Sequence, residues 1–250
     1  MNCSKGFKIV IAALLGTHLI AAAAPAVAGK KGGSPAVEGA AGVTLEMVLE
    51  RFDHAQRETD TMVADFTERK DLNLLAEPLV SRGEFFFNRP NQVRWEYTEP
   101  EHKVFVITEK RYIAYYPAAK RAEEVQIKKF IGKRLFRFLG VGQSIEDLAK
   151  YYEFHLGESN DLPDTYLLVL TPRKKRIRES VAFMKIWVDA KTFLPRQVAY
   201  EENDGDSTLL TFHNLRVNVD VAAHRFRVDL PPDVKVSATF NGFSLGQQSF

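Results

Sequence analysis

Cysteine is nearly absent from this sequence: Cys3, close to the N-terminus, is the only one in 250 residues. A single cysteine cannot form an intramolecular disulfide, and we expect no thiol chemistry in the folded domain. The hydrophobic core must therefore provide the stability of the fold. With 45% hydrophobic and 26% charged residues, the composition is typical of an ordinary globular protein.

Catalytic and metal-binding motifs are also missing. The six histidines are scattered, and none pairs with another histidine or a carboxylate at the spacing of metal ligands. The segment "GFSLG" (Gly242–Gly246) matches G-x-S-x-G, but only "QQSF" follows, whereas a hydrolase of that type needs an acid and a histidine downstream. No glycine-rich phosphate-binding loop is present. We therefore predict neither an enzyme nor a bound cofactor or metal.

The sequence has no marked excess of either charge, with 34 Lys and Arg against 32 Asp and Glu. Lys5 and Lys8 are the only charged residues in 1–28, so without that segment the formal charge is zero. This balance argues against nucleic acid as a partner. The basic run "RKKRIR" (Arg173–Arg178) is interpreted as a solvated loop, with a docking patch as the alternative.

The N-terminal segment 1–28 is predicted to be a secretory signal peptide. A basic start is followed by an apolar run from Ile9 to Ala24, and small residues at Ala26–Ala28 match a signal-peptidase site. A membrane anchor is the alternative, but Thr17 and His18 interrupt the run. A lipoprotein would need a cysteine at the cleavage site, and there is none.

The rest of the chain divides into a short arm, one domain and a tail. Residues 29–43 are rich in Gly and Ala and are expected to form a flexible arm, and 237–250 a C-terminal tail. The domain, 44–236, begins with an amphipathic helix capped by Thr44, because apolar residues recur at helical spacing from Leu45 to Phe52.

The remainder is predicted to be mainly β-structure. Alternation of apolar and polar residues is clear in "VRWEYT" and "MKIWVD". Many short strands at close spacing indicate an antiparallel sheet that curls or closes. The expected strands cover residues 62–76, 79–88, 92–98, 103–109, 111–116, 121–127, 152–158, 165–171, 181–189, 194–202, 206–214 and 224–230.

One helical insertion interrupts the strands at 128–152. Ser144 is expected to cap a second short helix within it. With the N-terminal helix, about three helices would cover one face of the sheet. The apolar residues predicted to face the sheet from this lid are Phe130, Ile131, Leu135, Phe138, Leu139 and Leu148.

Four segments in order resemble the periplasmic lipoprotein carrier family (LolA-like). "ADFTERK" (Ala64–Lys70) is similar to its first strand, and "GEFFFNRPNQVRWEYTEP" (Gly83–Pro100) to its most recognisable block. "YLLVLTP" (Tyr166–Pro172) and "FRVDLPPDVKV" (Phe226–Val236) resemble later segments. The resemblance implies an unclosed antiparallel β-barrel of about eleven strands covered by a helical lid.

The resemblance also implies a function. Such a protein would be a monomeric periplasmic carrier of acylated lipoproteins, which it receives from an inner-membrane lipoprotein-releasing transporter and passes to an outer-membrane receptor. It implies that Arg89 bonds the lid and keeps the empty cavity shut; a solvent-facing turn arginine is the alternative. A lipid- or lipoprotein-sensing module of the same fold, a carrier of another acylated lipid and an outer-membrane barrel are the other interpretations.

Strand parity selects the residues expected to line a lipid-binding cavity. Side chains two residues apart in a strand lie on the same face of the sheet. The hairpin formed by residues 85–100, here called the aromatic hairpin, and the predicted strand 181–189 each contribute one set of apolar side chains to that face. A solid core built from the same side chains is the alternative. The predicted cavity residues are Phe85, Phe87, Val93, Trp95, Tyr97, Met184, Ile186 and Val188.

Overall fold

The computed structural model describes residues 42–126, 144–179 and 181–238. These residues form a twelve-stranded sheet with helices packed on its more apolar face. The strands are β1 (Thr61–Asp71), β2 (Leu79–Asn88), β3 (Gln92–Glu99), β4 (Lys103–Ile107), β5 (Arg111–Tyr116), β6 (Arg121–Gln126), β7 (Tyr152–Gly157), β8 (Thr165–Pro172), β9 (Val181–Asp189), β10 (Pro195–Glu202), β11 (Ser207–Val217) and β12 (Lys235–Ser237).

The sheet is open, with β12 and β7 at its two edges. The strand order is β12-β6-β5-β4-β3-β2-β1-β11-β10-β9-β8-β7. All neighbouring pairs are antiparallel except β12 and β6, which are parallel. The expected mainly β, unclosed sheet is therefore confirmed, but the strand number was wrong, since the sheet has twelve strands rather than about eleven.

The sheet must curl around its apolar side. Twelve strands at about 4.8 Å spacing would span roughly 50 Å if they lay flat. Residues of β1–β5 and β7–β11 nevertheless belong to one buried apolar cluster, to which helices of the described part of the chain also contribute. We call the face that carries this cluster the inner face, and the opposite one the outer face.

Helix α1 (Leu45–Arg57) covers part of the inner face, as its apolar stripe predicts. Its N-terminus is capped by Thr44, whose Oγ1 accepts a hydrogen bond from the Met47 N–H at 3.2 Å. Val48 and Phe52 are fully buried in the inner-face cluster. The stripe at i and i+4 is thus the surface that packs on the sheet.

Helix α2 (Ile145–Ala149) lies next to α1, and Ser144 caps it by accepting from the Asp147 N–H at 3.1 Å. A single helical turn, α3 (Lys175–Arg178), follows β8. Among the described residues two helices, α1 and α2, cover the inner face, whereas about three were expected. The third, predicted around Phe130–Leu139, falls outside the described residues.

The segment after β11 crosses the outer face instead of forming the strand predicted at 224–230. Ala223–Phe226 is a 3-10 turn, and Phe226 is buried on the outer face against Phe86, Val104 and Val106. Arg94 on β3 donates to the carbonyls of Arg225 and Arg227 at 3.0 and 3.3 Å. Backbone groups that a strand would pair are thus satisfied by a side chain, and pairing resumes only at β12.

Candidate functional site

The eight predicted cavity residues lie together on the inner face. Each is at most 5% exposed, and all belong to the same buried cluster. Cross-strand pairing aligns Phe87 with Val93 and Phe85 with Trp95 across β2 and β3, and Val198 with Ile186 across β10 and β9. Strand parity therefore assigned these side chains to one face, which shares its buried cluster with residues of α1 and α2.

Aromatic rings form the centre of this face. The Trp95 ring lies 4.5 Å from that of Phe85 and 4.8 Å from that of Phe66, the latter edge to face. Gly83 makes room for Phe66, because a Cβ at residue 83 would lie 2.9 Å from the Phe66 ring and 2.0 Å from the Glu96 carbonyl oxygen. The glycine at the start of the aromatic hairpin is thus a packing requirement.

Arg89 binds the C-terminal end of α1. Its Nη2 donates to the carbonyl oxygens of Gln56, Thr59 and Arg57 at 2.7, 2.8 and 3.1 Å, and its Nε to that of Thr59 at 3.2 Å. The last carbonyls of a helix have no intrahelical partners and carry partial negative charge, so a guanidinium suits them well. Arg89 follows the last residue of β2 and is about one-third exposed, which places it at the rim of the inner face.

The same helix end is held by Asn218, just after β11. Its Oδ1 accepts from the Asp60 N–H at 2.8 Å, and its Nδ2 donates to the Glu58 carbonyl at 2.9 Å. Asn218 has φ of 55°, a left-handed conformation that asparagine tolerates better than most residues. Two side chains, one just after β2 and one just after β11, therefore fix where α1 ends.

Ionisable side chains gather at the other end of the inner face. Glu68 and Lys70 follow Phe66 on β1 with the same parity, and both are buried together with Glu202 on β10. Glu68 Oε1 accepts from the Tyr97 hydroxyl at 3.3 Å and lies 3.9 Å from Lys70 Nζ. Lys103 Nζ lies 4.4 Å from the centre of the Tyr97 ring. We call Glu68, Lys70, Lys103 and Glu202 the ionic end.

Burial shifts the proton affinities of this group. Desolvation lowers the pKa of Lys70, although Glu68 and Glu202 oppose the effect. Desolvation raises the pKa of Glu202 to about 7, and the nearby carboxylates of Asp204 and Asp206 act in the same direction. The pKa of Lys103 is also lowered, chiefly by burial. Burial of these ionised side chains is therefore unfavourable in free energy, and their partners offset only part of that cost.

Comparison with known proteins decides the family. Residues 57–229 match the family described as outer membrane lipoprotein carrier protein LolA. The chain belongs to this family. Outer-membrane lipoprotein carrier proteins of Cupriavidus taiwanensis and Cupriavidus necator are each 26% identical over 156 residues, which cover 62% of this chain and 70% of theirs.

Among solved structures, an uncharacterized conserved protein from Thermus thermophilus is similar to this chain. It is 16% identical, and the match covers 77% of this chain and 97% of that protein with a TM-score of 0.49.

The lid residues expected for a lipoprotein carrier are described only in part. Leu148 on α2 is 1% exposed and lies in the inner-face cluster. The other five, Phe130, Ile131, Leu135, Phe138 and Leu139, lie outside the described residues. Arg89, expected to bond the lid, contacts the end of α1 in the described part of the chain.

Two residues that hold the helices in place were missed from the sequence. Asp53 on α1 accepts from the Ile145 N–H of α2 at 2.7 Å, and Asn218 holds the end of α1. Asp53 gave no signal beyond being a charged residue on an amphipathic helix, which is common. Asn218 offered a weak signal, since asparagine is frequent at left-handed positions.

Within 42–126, 144–179 and 181–238, no three His, Cys, Asp or Glu side chains come together as a metal site needs. No helix in those ranges is both long and apolar enough to cross a membrane.

Proposed function

We propose that this chain is a periplasmic carrier that holds the acyl chains of lipoproteins against its inner face and moves them from the inner to the outer membrane. Membership of the lipoprotein carrier family supports this, as do two curated relatives with that name. In this proposal residues 1–28 direct export and 44–236 form the carrier domain. The partners are an inner-membrane transporter that releases lipoproteins and an outer-membrane receptor. The role is binding and transfer, without catalysis.

An acyl chain needs a large apolar surface to cross water. Exposure costs about 0.8 kcal/mol per CH₂, so a sixteen-carbon chain carries roughly 12 kcal/mol. The inner face, with Phe85, Trp95 and Ile186 among its buried residues, offers a surface of the required kind. These side chains share one buried cluster with Val48 and Phe52 of α1 and Leu148 of α2, so in this proposal a ligand displaces the helices to reach them.

The observation that carries the proposal is the binding of Arg89 to the end of α1. Four hydrogen bonds from one guanidinium to three carbonyl groups hold the helix against the rim of the inner face. A fully formed hydrogen bond from a charged donor contributes about 1.5–3 kcal/mol. The two Nη2 protons are shared among three carbonyls, so the four contacts do not add in full. The ion pair with Asp60, at 3.3 Å, adds little, because that carboxylate is 78% exposed.

Displacement of α1 would couple ligand binding to the loss of these bonds. A ligand that binds only the open form must supply the free energy that closure provides. The empty carrier then stays closed and keeps its apolar surface out of water. The loaded carrier binds its ligand less tightly than it would if the inner face were permanently open. Such moderated affinity is what transfer to a receptor requires.

The test replaces Arg89 with leucine and follows both loading and transfer of a purified acylated lipoprotein. The matched control is Arg82→Leu on the same strand, since the side chain of Arg82 pairs with exposed Glu99 at 2.7 Å, its one partner among the described residues. We expect Arg89→Leu to bind the lipoprotein severalfold to tenfold more tightly, because closure no longer competes, and to release it more slowly to a receptor.

Two outcomes would contradict the proposal at different levels. If Arg89→Leu loads and hands on lipoprotein as the wild type does, the role of Arg89 in closure is wrong. If mass spectrometry of the protein purified from the periplasm detects neither acylated peptides nor lipids, and purified lipoprotein does not bind, the carrier function itself is wrong.

A further inference from the structure

Exposed apolar side chains are concentrated in one segment, residues 74–80. Five large hydrophobic side chains are exposed within 42–126, 144–179 and 181–238, and four of them lie in this segment: Leu74, Leu75, Leu79 and Val80. Leu74 is 86% exposed and Leu75 45%, and both belong to the loop between β1 and β2. Single exposed leucines are common on protein surfaces, but a contiguous apolar segment indicates an interaction site.

The two leucines belong to a defined turn. The Leu75 N–H donates to the Leu72 carbonyl at 2.9 Å, which places Asn73 and Leu74 at the centre of the turn. The Asn73 N–H donates to Asp206 Oδ1 at 2.8 Å and so ties the turn to the loop between β10 and β11. Leu74 is therefore held at the tip of an anchored loop, in solvent.

This turn lies at the end of the inner face opposite Arg89. Thr61 pairs with Asn88 beside Arg89, whereas Lys70, nine residues further along β1, pairs with Leu79. At about 3.3 Å per residue, roughly 30 Å separate the two ends. An object bound at the turn would thus reach the end of the inner face without disturbing the contacts of Arg89 with α1.

The basic run at 173–178, here called the basic turn, lies at the same end of the sheet. The side chain of Asn203, in the loop that Asn73 binds, donates to the Arg178 carbonyl. Ile177 is buried in the inner-face cluster and anchors the basic turn. Its exposed cationic residues are Arg173, Lys174, Lys175 and Arg178. This arrangement favours a docking patch over a solvated loop.

Acidic side chains are also present at this end. The carboxylates of Asp204 and Asp206 accept hydrogen bonds from backbone N–H groups of these loops. Glu77 and Glu179 are exposed. The sequence of 173–179, RKKRIRE, nevertheless has five basic residues against one acidic residue. The basic turn is therefore locally positive, beside an apolar loop tip.

We infer that this end of the sheet docks on the surface of a phospholipid bilayer, with Leu74 and Leu75 inserted and the basic turn on the lipid phosphate groups. A bilayer accepts single side chains from a convex loop, whereas a stable protein interface needs about 800 Å² of matched surface on each partner. A small apolar anchor combined with basic residues gives reversible binding to anionic membranes.

This inference goes beyond the proposed function and does not depend on it, because docking requires no lipoprotein. In a carrier, docking would bring the end of the inner face to the membrane that supplies or takes the acyl chain.

The test measures co-sedimentation of the protein, purified from the periplasm, with vesicles of phosphatidylcholine alone or with one-third phosphatidylglycerol. The apolar variant carries Leu74→Ser and Leu75→Ser, and its control is Val236→Ser on β12, at the far edge of the sheet and 54% exposed. We expect the apolar variant to bind both kinds of vesicle at least tenfold more weakly than wild type, and the control to bind as wild type does. Thermal unfolding should be unchanged, because these side chains are exposed.

A second pair of variants tests the basic turn. Lys174→Gln with Lys175→Gln should bind the phosphatidylglycerol vesicles at least fivefold more weakly and leave binding to phosphatidylcholine unchanged. The control carries Lys110→Gln and Lys191→Gln, in exposed turns after β4 and β9 at the opposite end of the sheet, and should match wild type. Every variant keeps residues 1–43, so differences in binding come from the substituted side chains.

Four outcomes would overturn the inference. Wild type that binds neither kind of vesicle rules out a bilayer and leaves a protein partner for the leucines. Wild-type binding by the apolar variant excludes insertion of Leu74 and Leu75, and unchanged binding by the lysine variant excludes the basic turn. A wild-type dimer that the apolar variant converts to a monomer, seen by analytical ultracentrifugation without lipid, means that the leucines pair two copies of the chain. Acyl binding by the inner face is tested separately by the lipoprotein assay.

Discussion

The carboxylate of Asp53 on α1 accepts a hydrogen bond from the backbone N–H of Ile145, the first residue of α2, at 2.7 Å. Its other oxygen lies 2.7 Å from Nε of Arg57, one helical turn further along. The two helices that cover the inner face are thus joined by one side chain, although 92 residues separate them. We expect them to move together when the face opens.

Replacing Asp53 with alanine should destabilise the protein by about 1–2 kcal/mol. The Ile145 N–H would lose its acceptor at the start of a helix, where no intrahelical carbonyl is available. Urea unfolding should show a lower midpoint with an unchanged slope. The control is Glu50→Ala on the exposed side of α1, which should shift the midpoint little. Equal midpoints for the two variants would contradict the bridging role.

Substitutions of Asn218 should separate its conformation from its hydrogen bonds. Asn218→Gly keeps access to the positive φ but loses the two side-chain bonds to the end of α1, so we expect a loss of about 1–2 kcal/mol. Asn218→Ala should lose about 1 kcal/mol more, because alanine disfavours that conformation. Denaturant unfolding measures both.

A matched control for Asn218 is Asn214→Gly. Asn214 also has a positive φ, of 50°, but within the described part of the chain its side chain donates just to exposed Asp65. We expect a change of less than about 0.5 kcal/mol. If Asn214→Gly and Asn218→Gly are equally destabilised, the bonds of Asn218 to α1 do not stabilise the fold as described.

Local patterns in the sequence were sufficient to predict helix α1 and most of the strands. The apolar stripe after Thr44 predicted α1, and period-two alternation placed Val93, Trp95 and Ile186 on one face, because parity depends only on neighbours along the chain. The strand predicted at 224–230 was wrong for a nonlocal reason. Phe226 alternates with polar residues as in a strand, but it packs on the outer face and Arg94 takes the neighbouring carbonyls.

The site was predictable in its apolar part and less so in its polar part. Arg89 stood out beside the aromatic hairpin, but its acceptors lie about thirty residues earlier, at a helix end whose position no local pattern gives. Glu68 and Lys70 share the parity of Phe66, so the signal for an inward charge was present in "FTERK". The contact of Glu68 with Tyr97 depends on the register of three strands.

The raised pKa of Glu202 makes stability depend on pH. In the folded protein this carboxyl keeps its proton up to about pH 7, whereas a glutamate in the unfolded chain releases it near 4.5. The folded state binds more protons between these values, so its stability falls as pH rises through that window. We expect Glu202→Gln to remove this decrease, on the order of 1–2 kcal/mol because solvent at the rim screens part of it.

The measurement for Glu202 compares unfolding midpoints of wild type and Glu202→Gln at pH 4.5, 6 and 8. The difference between them isolates Glu202, because all other titrations are shared. Glu201→Gln, on the same strand with the opposite parity, is the control and should follow the wild type. A constant difference across the three pH values would contradict the assigned titration.

Gly83 should tolerate no side chain, because its Cα faces the backbone of β3. A Cβ would lie 2.0 Å from the Glu96 carbonyl oxygen, and a backbone atom within a sheet cannot move aside without breaking strand pairing. We expect Gly83→Ala to cost more than about 3 kcal/mol. It should also disturb the near-UV circular dichroism, since Phe66 packs edge to face on Trp95 beside this glycine.

Gly157 at the end of β7 is the matched control for Gly83. A Cβ there would meet only side-chain atoms, with Leu167 at 3.0 Å and Val169 at 3.3 Å, and these can rotate away. We expect Gly157→Ala to change stability by less than about 1 kcal/mol and to leave the aromatic spectrum unchanged. Equal losses for the two variants would mean that glycine is needed in these strands for a reason other than close approach. A loss confined to Gly83→Ala would show that β2 and β3 must approach closely for Phe66 to reach Trp95, the contact at the centre of the proposed acyl-binding face.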